Sequence, residues 1–466
     1  MRVLHVLANS SPDTNGYAIR SHMILKHQAN MEGIDVEAIT SPWYPHRESM
    51  VDNYDLDGIH YQRVVHPARK KTNSKFTHKI IKIFTRIKSE ENPKDHEELN
   101  NRYPIRRVFD FFYYGVFKIG RLFAKPARIP WKVMEEKILM KYLENTIIAK
   151  YKGGNIEVIH AHTPYRVGLP ALRAARKLGI PFVYEMRGMW EETAVANGRW
   201  RRNGPAHRRF KRMENKVLTA ADSVITISET LREVATKRGV DPKRIVKIAN
   251  GVEEDFINDT TKSTSFNEIK QQLSSKNGSI VVGYIGSLRE MEGVDFTAQA
   301  VGSLVRAGKD VKFFCLSGEA GQVELRQVCS KEGIAEHSLV AGPVPHNEVP
   351  VFYDLIDVFV VSRPDYEVTR KVTPLKPFEA MGRGRTVVVS NLDALTEIVQ
   401  DRVTGVIVES NDVEGLSLAI SELVDDSELR NKLGLEARAW IKKNRLWKDV
   451  IQESRKSYQI ASNSNE

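Results

Sequence analysis

Residues Val372–Asn391 read VTPLKPFEAMGRGRTVVVSN. Thr386–Ser390, TVVVS, is short, apolar and β-branched, with Gly384 before it and Asn391 after it. Such a run is a strand buried on both faces, as in a parallel sheet. Ahead of it, Phe378-Glu379-Ala380-Met381 follows Pro377 and reads as a helix start. Arg363, Arg370, Lys371 and Lys376 fall within 14 positions before that start, in a loop between two apolar runs. Cations beside a helix N-terminus suit a polyanion such as a diphosphate, and Glu379 is placed to accept hydrogen bonds from sugar hydroxyls.

Outward from this stretch, short apolar runs alternate with longer amphipathic ones. In the first half the expected strands are Arg2–Ala8, Val36–Thr40, Ile59–Val65, Val158–His160, Phe182–Glu185, Ser223–Ile227 and Ile245–Ile248. In the second half they are Ile280–Ile285, Lys312–Ser317, Val358–Val361, Thr386–Ser390 and Gly405–Val408. Helical patterns lie between, for example at Leu169–Leu178, Glu229–Arg238, Phe296–Ala307 and Val413–Val424. This rhythm predicts an α/β chain of two doubly wound parallel-sheet, Rossmann-like domains. A polar stretch between Asn250 and Ser279 reads as the surface connection. The expected domains are 1–250 and 251–445, with a closing helix at 446–466 packing back on the first. Open α/β sheets bind ligands beyond the carboxyl ends of their strands, so the cleft between the domains is the expected site.

A chain of 466 residues carries two or three domains, and 41% hydrophobic with 28% charged residues argues against disorder. Only Cys315 and Cys329 are present, which excludes a disulfide framework and a cysteine-rich zinc site. The start, MRVLHVLANSSP, reads as a first strand rather than a leader, and no apolar run approaches transmembrane length. A cytoplasmic protein is expected.

The net charge of +11 has one source. Pro67–Val133 holds 17 Lys and Arg against 6 Asp and Glu, and the rest of the chain balances at 53 against 53. In KFTHKIIKIFTRIK, Phe76, Ile80, Ile83, Phe84 and Ile87 share a helical face flanked by Lys75, Lys79, Lys82 and Arg86. The segment reads as a basic amphipathic helical insertion. It either packs on its own domain with a solvated basic face, or meets an anionic membrane surface through 75–133. No zinc-finger spacing or nucleic-acid-binding motif supports a nucleic-acid partner.

Other strand ends carry further candidates. Gly16 opens a helix after the first strand, where backbone N–H groups can face a phosphate, although an ordinary turn reads the same way. His160 and His162 point to one side of an extended chain. The next strand end, YEMRGMWEE, brings Glu185, Arg187, Trp190 and Glu191. In the second half, GYIGSLREMEG places Gly286 and Arg289 at a strand end.

The segments HAHTP, YEMRGMWEE, AADSVITISE and VTPLKPFEAMGRGRTVVVSN together resemble retaining glycosyltransferases of the GT-B fold, in the large family 4. PLKPFEAMG is most similar to bacterial enzymes that assemble exopolysaccharide or lipid-linked oligosaccharide. The resemblance covers both domains outside the insertion. It implies a UDP- or GDP-linked sugar as donor, no cofactor and no metal. The implied acceptor is a glycan or a polyprenyl-diphosphate-linked glycan, with the enzyme peripheral on the inner membrane face.

By the same resemblance Gly16 faces the donor phosphates and His162 lies near the reacting sugar. Arg289 and either Lys371 or Lys376 neutralise the leaving diphosphate, while Gly286 and backbone groups near Thr373-Pro374-Leu375 cradle it. Arg363 and Arg370 join the donor side, Glu379 binds the ribose hydroxyls, and Arg187, Trp190 and Glu191 lie on the acceptor side. Three positions depart from the family pattern. Ser287 and Glu292 stand where an Arg and a Lys are usual, and Lys371 stands where the first glutamate of the E-x7-E signature falls. The cationic work then passes to Arg289, Arg363, Arg370 and Lys371. Those departures leave one rival open, a non-catalytic GT-B subunit; a nucleotide-sugar epimerase of the same fold is a second.

Overall fold

Two parallel sheets organise the chain. The computed structural model describes residues 1–13, 15–44, 51–67, 128–258, 260, 264–274 and 278–464. The expected amphipathic insertion, and with it the 75–133 membrane contact, lies up to residue 127 outside the described residues.

The first sheet has eight strands: β1 Arg2–Leu7, β2 Asp35–Thr40, β3 Asn53–Leu56, β4 Ile59–Arg63, β5 Val158–His162, β6 Phe182–Met186, β7 Ser223–Thr226 and β8 Ile245–Lys247. Their order is β3-β4-β2-β1-β5-β6-β7-β8. All pairs are parallel except the β3–β4 hairpin, whose Asp57-Gly58 turn has φ of 51° and 75°. Two positive φ values make the tight turn that suits a twisted antiparallel pair. The second sheet holds β9 Ile280–Ile285, β10 Val311–Leu316, β11 Ser338–Ala341, β12 Val358–Val361, β13 Thr386–Ser390 and β14 Val406–Val408, in the order β11-β10-β9-β12-β13-β14. Strand order reverses between β1 and β5 and again between β9 and β12, and crevices open at such points.

β5 runs two residues beyond its expected end, so His162 is its last paired residue, opposite Glu185 of β6. The polar stretch between Asn250 and Ser279 is not a plain connection. It holds helices Glu254–Asn258 and Thr264–Leu273. Phe266, Ile269 and Leu273 bury one face in the second core, and this helical spacing is hidden among polar neighbours. The end of the basic segment lies inside a 24-residue helix, Arg128–Tyr151. Its Met140, Leu143 and Ile147 join the first domain's core.

After the second domain the chain crosses back at Leu446, which bridges Val252. Trp447 and Tyr458 are buried in a cluster with Val3, Leu7, Val158, Val183 and Ile225 of the first sheet. Ser457 closes this contact by a 2.8 Å hydrogen bond to Ser223. The last helix, Ser454–Asn463, thus covers the first domain although its chain arrives from the second. Among the described residues no helix is long and apolar enough to cross a membrane.

Candidate functional site

The carboxyl ends of the two sheets face each other. The helix Gly16–Ala29 begins behind Asn15, whose side chain accepts from the N–H groups of Tyr17 and Ala18 at 3.1 and 3.0 Å. This cap presents Gly16 to the opposite domain, where Leu375 Cδ1 lies 3.9 Å from the position of a Cβ on Gly16. Thr230 Oγ1 donates to Lys371 O at 2.9 Å, and Asn250 Nδ2 reaches Thr373 O at 3.4 Å. Val372 packs beside Gly188. The loop that leads into the helix Lys376–Gly382 is therefore held by three strand-end segments of the first domain.

On the second domain one carboxylate organises the cations. Glu292 is 1% exposed. Its Oε2 accepts from Arg363 Nε at 3.1 Å and Nη2 at 2.9 Å. Its Oε1 accepts from Arg289 Nη2 at 3.1 Å and lies 3.6 Å from Lys376 Nζ. Burial opposes ionisation of Glu292, but Arg363, Lys376 and Arg289 overcome it and hold the carboxyl well below its usual range. Three cations on one anion leave this pocket with a net positive charge.

The cations differ in what they have left to give. Arg363 is spent: its remaining Nη1 donates to Val372 O at 3.0 Å. Arg289 is half exposed. Lys376 lies beneath Gly286, where a Cβ would overlap its side chain, and its Nζ sits 5.3 Å from the centroid of the Tyr284 ring. Glu379, one turn along the helix, accepts from Tyr353 O–H at 2.6 Å. Thr373, Pro374 and Leu375 form the loop between these groups and Gly16, with Thr373 buried.

Arg370 and Lys371 stand apart from this cluster. Arg370 is exposed and bound bidentately by Asp365. Lys371 donates to Asp393 at 2.5 Å. Of the cations expected together, the structure brings Arg289, Arg363 and Lys376 to one carboxylate, with these two outside it. Glu292, at a position where the sequence pattern showed only a departure, is their common centre.

On the first domain Glu185 is fully buried. Its Oε1 accepts from Arg20 Nη2 at 2.7 Å and Nε at 3.0 Å, and its Oε2 from Arg187 Nη2 at 2.7 Å and Nε at 2.9 Å. Burial would raise this carboxyl, but Arg187 and Arg20 hold it well below its usual range. Arg187 also donates to Tyr17 O and Ser21 Oγ, tying β6 to the first turn behind Gly16. His162 has both ring nitrogens engaged, Nδ1 by Arg187 and Nε2 by His5 at 2.9 Å. His5 continues to Gln28 at 2.8 Å, and Gln28 to Tyr458 of the last helix at 2.7 Å. Burial lowers the His5, His160 and His162 rings well below their usual value, so all three are neutral.

These histidines bring ring nitrogens within 4.8 Å of one another, close enough for a metal. The charge does not favour one. Arg20 and Arg187 already exceed Glu185 here, and a divalent cation would add to an uncompensated buried positive charge.

Arg187 and Glu191 turn their charged ends inward: Glu191, fully buried, accepts from Arg238 at 2.5 Å. Trp190 packs between Tyr17 and Phe210. A cavity of about 310 Å³ opens beyond them between the domains, lined by Glu192 and Arg202 on one side and Asp365, Tyr366 and Arg370 on the other. Arg20, Asn250, Tyr284 and the cavity-lining Arg202 had no signal in the sequence, because nothing in their spacing announces the strand ends they reach.

Comparison with known proteins agrees with this architecture. Residues 265–440 match the family model described as glycosyl transferases group 1, and residues 96–256 match that of Glycosyltransferase Family 4. The alpha-D-kanosaminyltransferase of Streptomyces kanamyceticus is 22% identical over 335 residues, 69% of this chain and 79% of that enzyme. D-inositol 3-phosphate glycosyltransferase 1 of Catenulispora acidiphila is 25% identical over 284 residues, 59% of this chain and 65% of that enzyme. Among solved structures, sucrose-phosphate synthase of Thermosynechococcus elongatus superimposes with a TM-score of 0.68 at 15% identity, covering 98% of both chains. Anabaena HepE, solved in complex with UDP, gives 0.64 at 13% identity over 98% of this chain and 100% of its own. The two family matches lie one on each domain, and the chain belongs to the family 4 glycosyltransferases of the GT-B fold.

Proposed function

We propose that this glycosyltransferase moves a sugar, with retention of configuration, from a nucleoside-diphosphate donor to a glycan or a polyprenyl-diphosphate-linked acceptor in bacterial surface polysaccharide synthesis. The observation that carries the reading is the net positive cluster of Arg289, Lys376 and Arg363 around Glu292, at the crevice beside β9 and β12. As the sugar leaves, negative charge builds on the β-phosphate oxygen. Lys376 and Arg289, whose charges are not consumed by a bidentate partner, stabilise it there. Glu379 takes the ribose hydroxyls while Tyr353 holds its carboxylate in place. The departing phosphate accepts the acceptor's proton on the same sugar face, so no carboxylate pair at glycosidase spacing is required. Arg363, Arg187 and His162 act as struts that fix the loops Val372–Leu375 and Asn15–Gly16 across the cleft. The cavity lined by Arg202, Tyr366 and Arg370 suits the acceptor. Solved neighbours carry UDP and UDP-glucose, which supports UDP as the first nucleotide to try.

The test is a thermal-shift panel of nucleotides and nucleotide sugars on the wild type and Glu379→Ala. A ligand at ~100 times its dissociation constant adds roughly 2.7 kcal/mol. A shift with one nucleotide family, lost in the variant, supports the donor site. A second reading, a non-catalytic subunit, rests on Glu292 standing in place of a cation. It predicts no shift with any nucleotide. The membrane contact is tested by flotation with anionic vesicles: deletion of 75–127 abolishes binding if the basic segment makes it.

A further inference from the structure

Lys376 is in an awkward position for a cation. It is mostly buried, it lies over the Tyr284 ring, and Gly286 closes over its side chain. Burial lowers the ammonium below its usual value, and Arg363 and Arg289 nearby act in the same direction. Glu292 and, more weakly, Glu379 oppose them. Cys315 lies close on β10 with its thiol pushed up to about 12, and burial also raises the Tyr284 phenol, so both are neutral. Glu292 is thus the principal anion facing Lys376, while two of its other contacts are the guanidiniums of Arg289 and Arg363.

We propose that Glu292 is a positioning residue that keeps Lys376 protonated inside the donor pocket, so that nucleoside-diphosphate binding extends into alkaline pH. The proposal rests on the donor-site reading for its binding consequence but not for the proton itself. A cation in the place of Glu292 would add one charge to the diphosphate site. A carboxylate there subtracts one, yet retains the lysine charge that burial would remove. The exchange trades raw attraction for a charge that survives burial, and it selects Arg363 as a strut rather than a phosphate ligand.

Two measurements on the full chain separate the parts. The first is the pH titration of the Lys376 side-chain Cε signal by NMR, assigned by its loss in Lys376→Arg. Removing an opposite charge at this distance moves a midpoint by about one to three pH units. Glu292→Gln is therefore expected to lower the Lys376 midpoint by at least that lower bound, and Glu292→Asp, which keeps the anion should Gln prevent folding, to lower it less. A midpoint unchanged in Glu292→Gln, or lowered equally by Asp, overturns the proposal. The second is UDP affinity from pH 6 to 9.5. Glu292→Gln is expected to bind UDP more tightly than wild type at the acid end and more weakly at the alkaline end. The two curves cross, and Lys376→Arg in the Gln background abolishes the alkaline fall. Parallel curves that never cross overturn it. Absence of binding by UDP and GDP alike in wild type, with the NMR midpoint moving as expected, sinks the donor reading and leaves the lysine assignment standing.

Discussion

Glu292 and Arg363 form a two-point ion pair, with Arg363 Nε and Nη2 at 3.1 and 2.9 Å from Oε2 and both side chains at most 5% exposed. The guanidinium's other end holds Val372 O. One pair therefore joins the end of β12 to the start of the donor-facing loop. Breaking a buried pair from one side costs about 3–5 kcal/mol, because the remaining charge stays buried. Lys376 and Arg289 still neutralise Glu292 in part, so Arg363→Met is expected at the low end, about 3 kcal/mol less stable in urea unfolding.

Lys376→Ala and Glu379→Ala are expected to lower turnover by about 100-fold or more each, the scale of removing one preorganised transition-state contact. Their circular dichroism and unfolding midpoints should stay near wild type. Gly286→Ala is expected to lower turnover too, since its Cβ would displace Lys376, but it also lowers the unfolding midpoint, because φ of 150° strains any L side chain there. Undiminished turnover in any of the three removes that residue from the chemistry.

Glu214 predicts a pH dependence of stability. It is buried among Tyr184, Tyr165 and Glu191, and burial, with help from Glu191, raises its carboxyl to about 7. A carboxyl whose folded value lies above its unfolded value holds its proton longer in the folded chain. Its stabilising effect is full below about pH 4.5 and is lost as pH rises toward 7. Glu214→Gln is expected to flatten that part of the profile and to be the more stable protein at pH 8, by roughly 2–3 kcal/mol if the side-chain contacts hold. Glu292 has the opposite sign: its folded value is depressed, so its contribution is present above the ordinary carboxylate range and is lost as acid is added below it. Urea midpoints between pH 4 and 8 read the Glu214 slope, and midpoints from pH 4.5 downward, where the Glu292 contribution is lost, read the opposite one.

Glu397 holds the domains together. It belongs to the second domain, and its carboxylate accepts from Glu229 N at 2.8 and 3.0 Å and from Thr230 N at 3.4 Å. These are N–H groups in the first turn of helix Glu229–Lys237, on the first domain. Such terminal donors have no partner within their own helix, and an anion there also meets the helix dipole. Glu397→Ala is expected to cost about 1 kcal/mol and to widen the cleft, read as a larger radius of gyration in small-angle scattering. An unchanged radius would show that the remaining contacts, such as Thr230 to Lys371, suffice to hold the closed arrangement.

Alternation of apolar runs in the sequence was sufficient for both sheets, because a strand buried on two faces must be apolar throughout and the crossing helices must be amphipathic. β3 was not among the expected strands, because with exposed Asn53 and Asp55 it has no apolar run, and the Asp57-Gly58 turn that makes its hairpin with β4 was seen only in the structure. β11 is four residues long and only partly buried, too little pattern to be read.

What the sequence determined by itself was the pair of doubly wound sheets, the loop from Thr373 to Leu375 and the presence of cations around it. Which cations face the crevice was decided only by the tertiary structure. Burial follows from the character of a residue and its near neighbours, whereas the strength of a charge depends on what meets it. Arg363, Arg289 and Lys376 meet Glu292 only because β9 and β12 lie side by side in the sheet, while Arg370 and Lys371, nearer in sequence to Lys376, meet Asp365 and Asp393 instead.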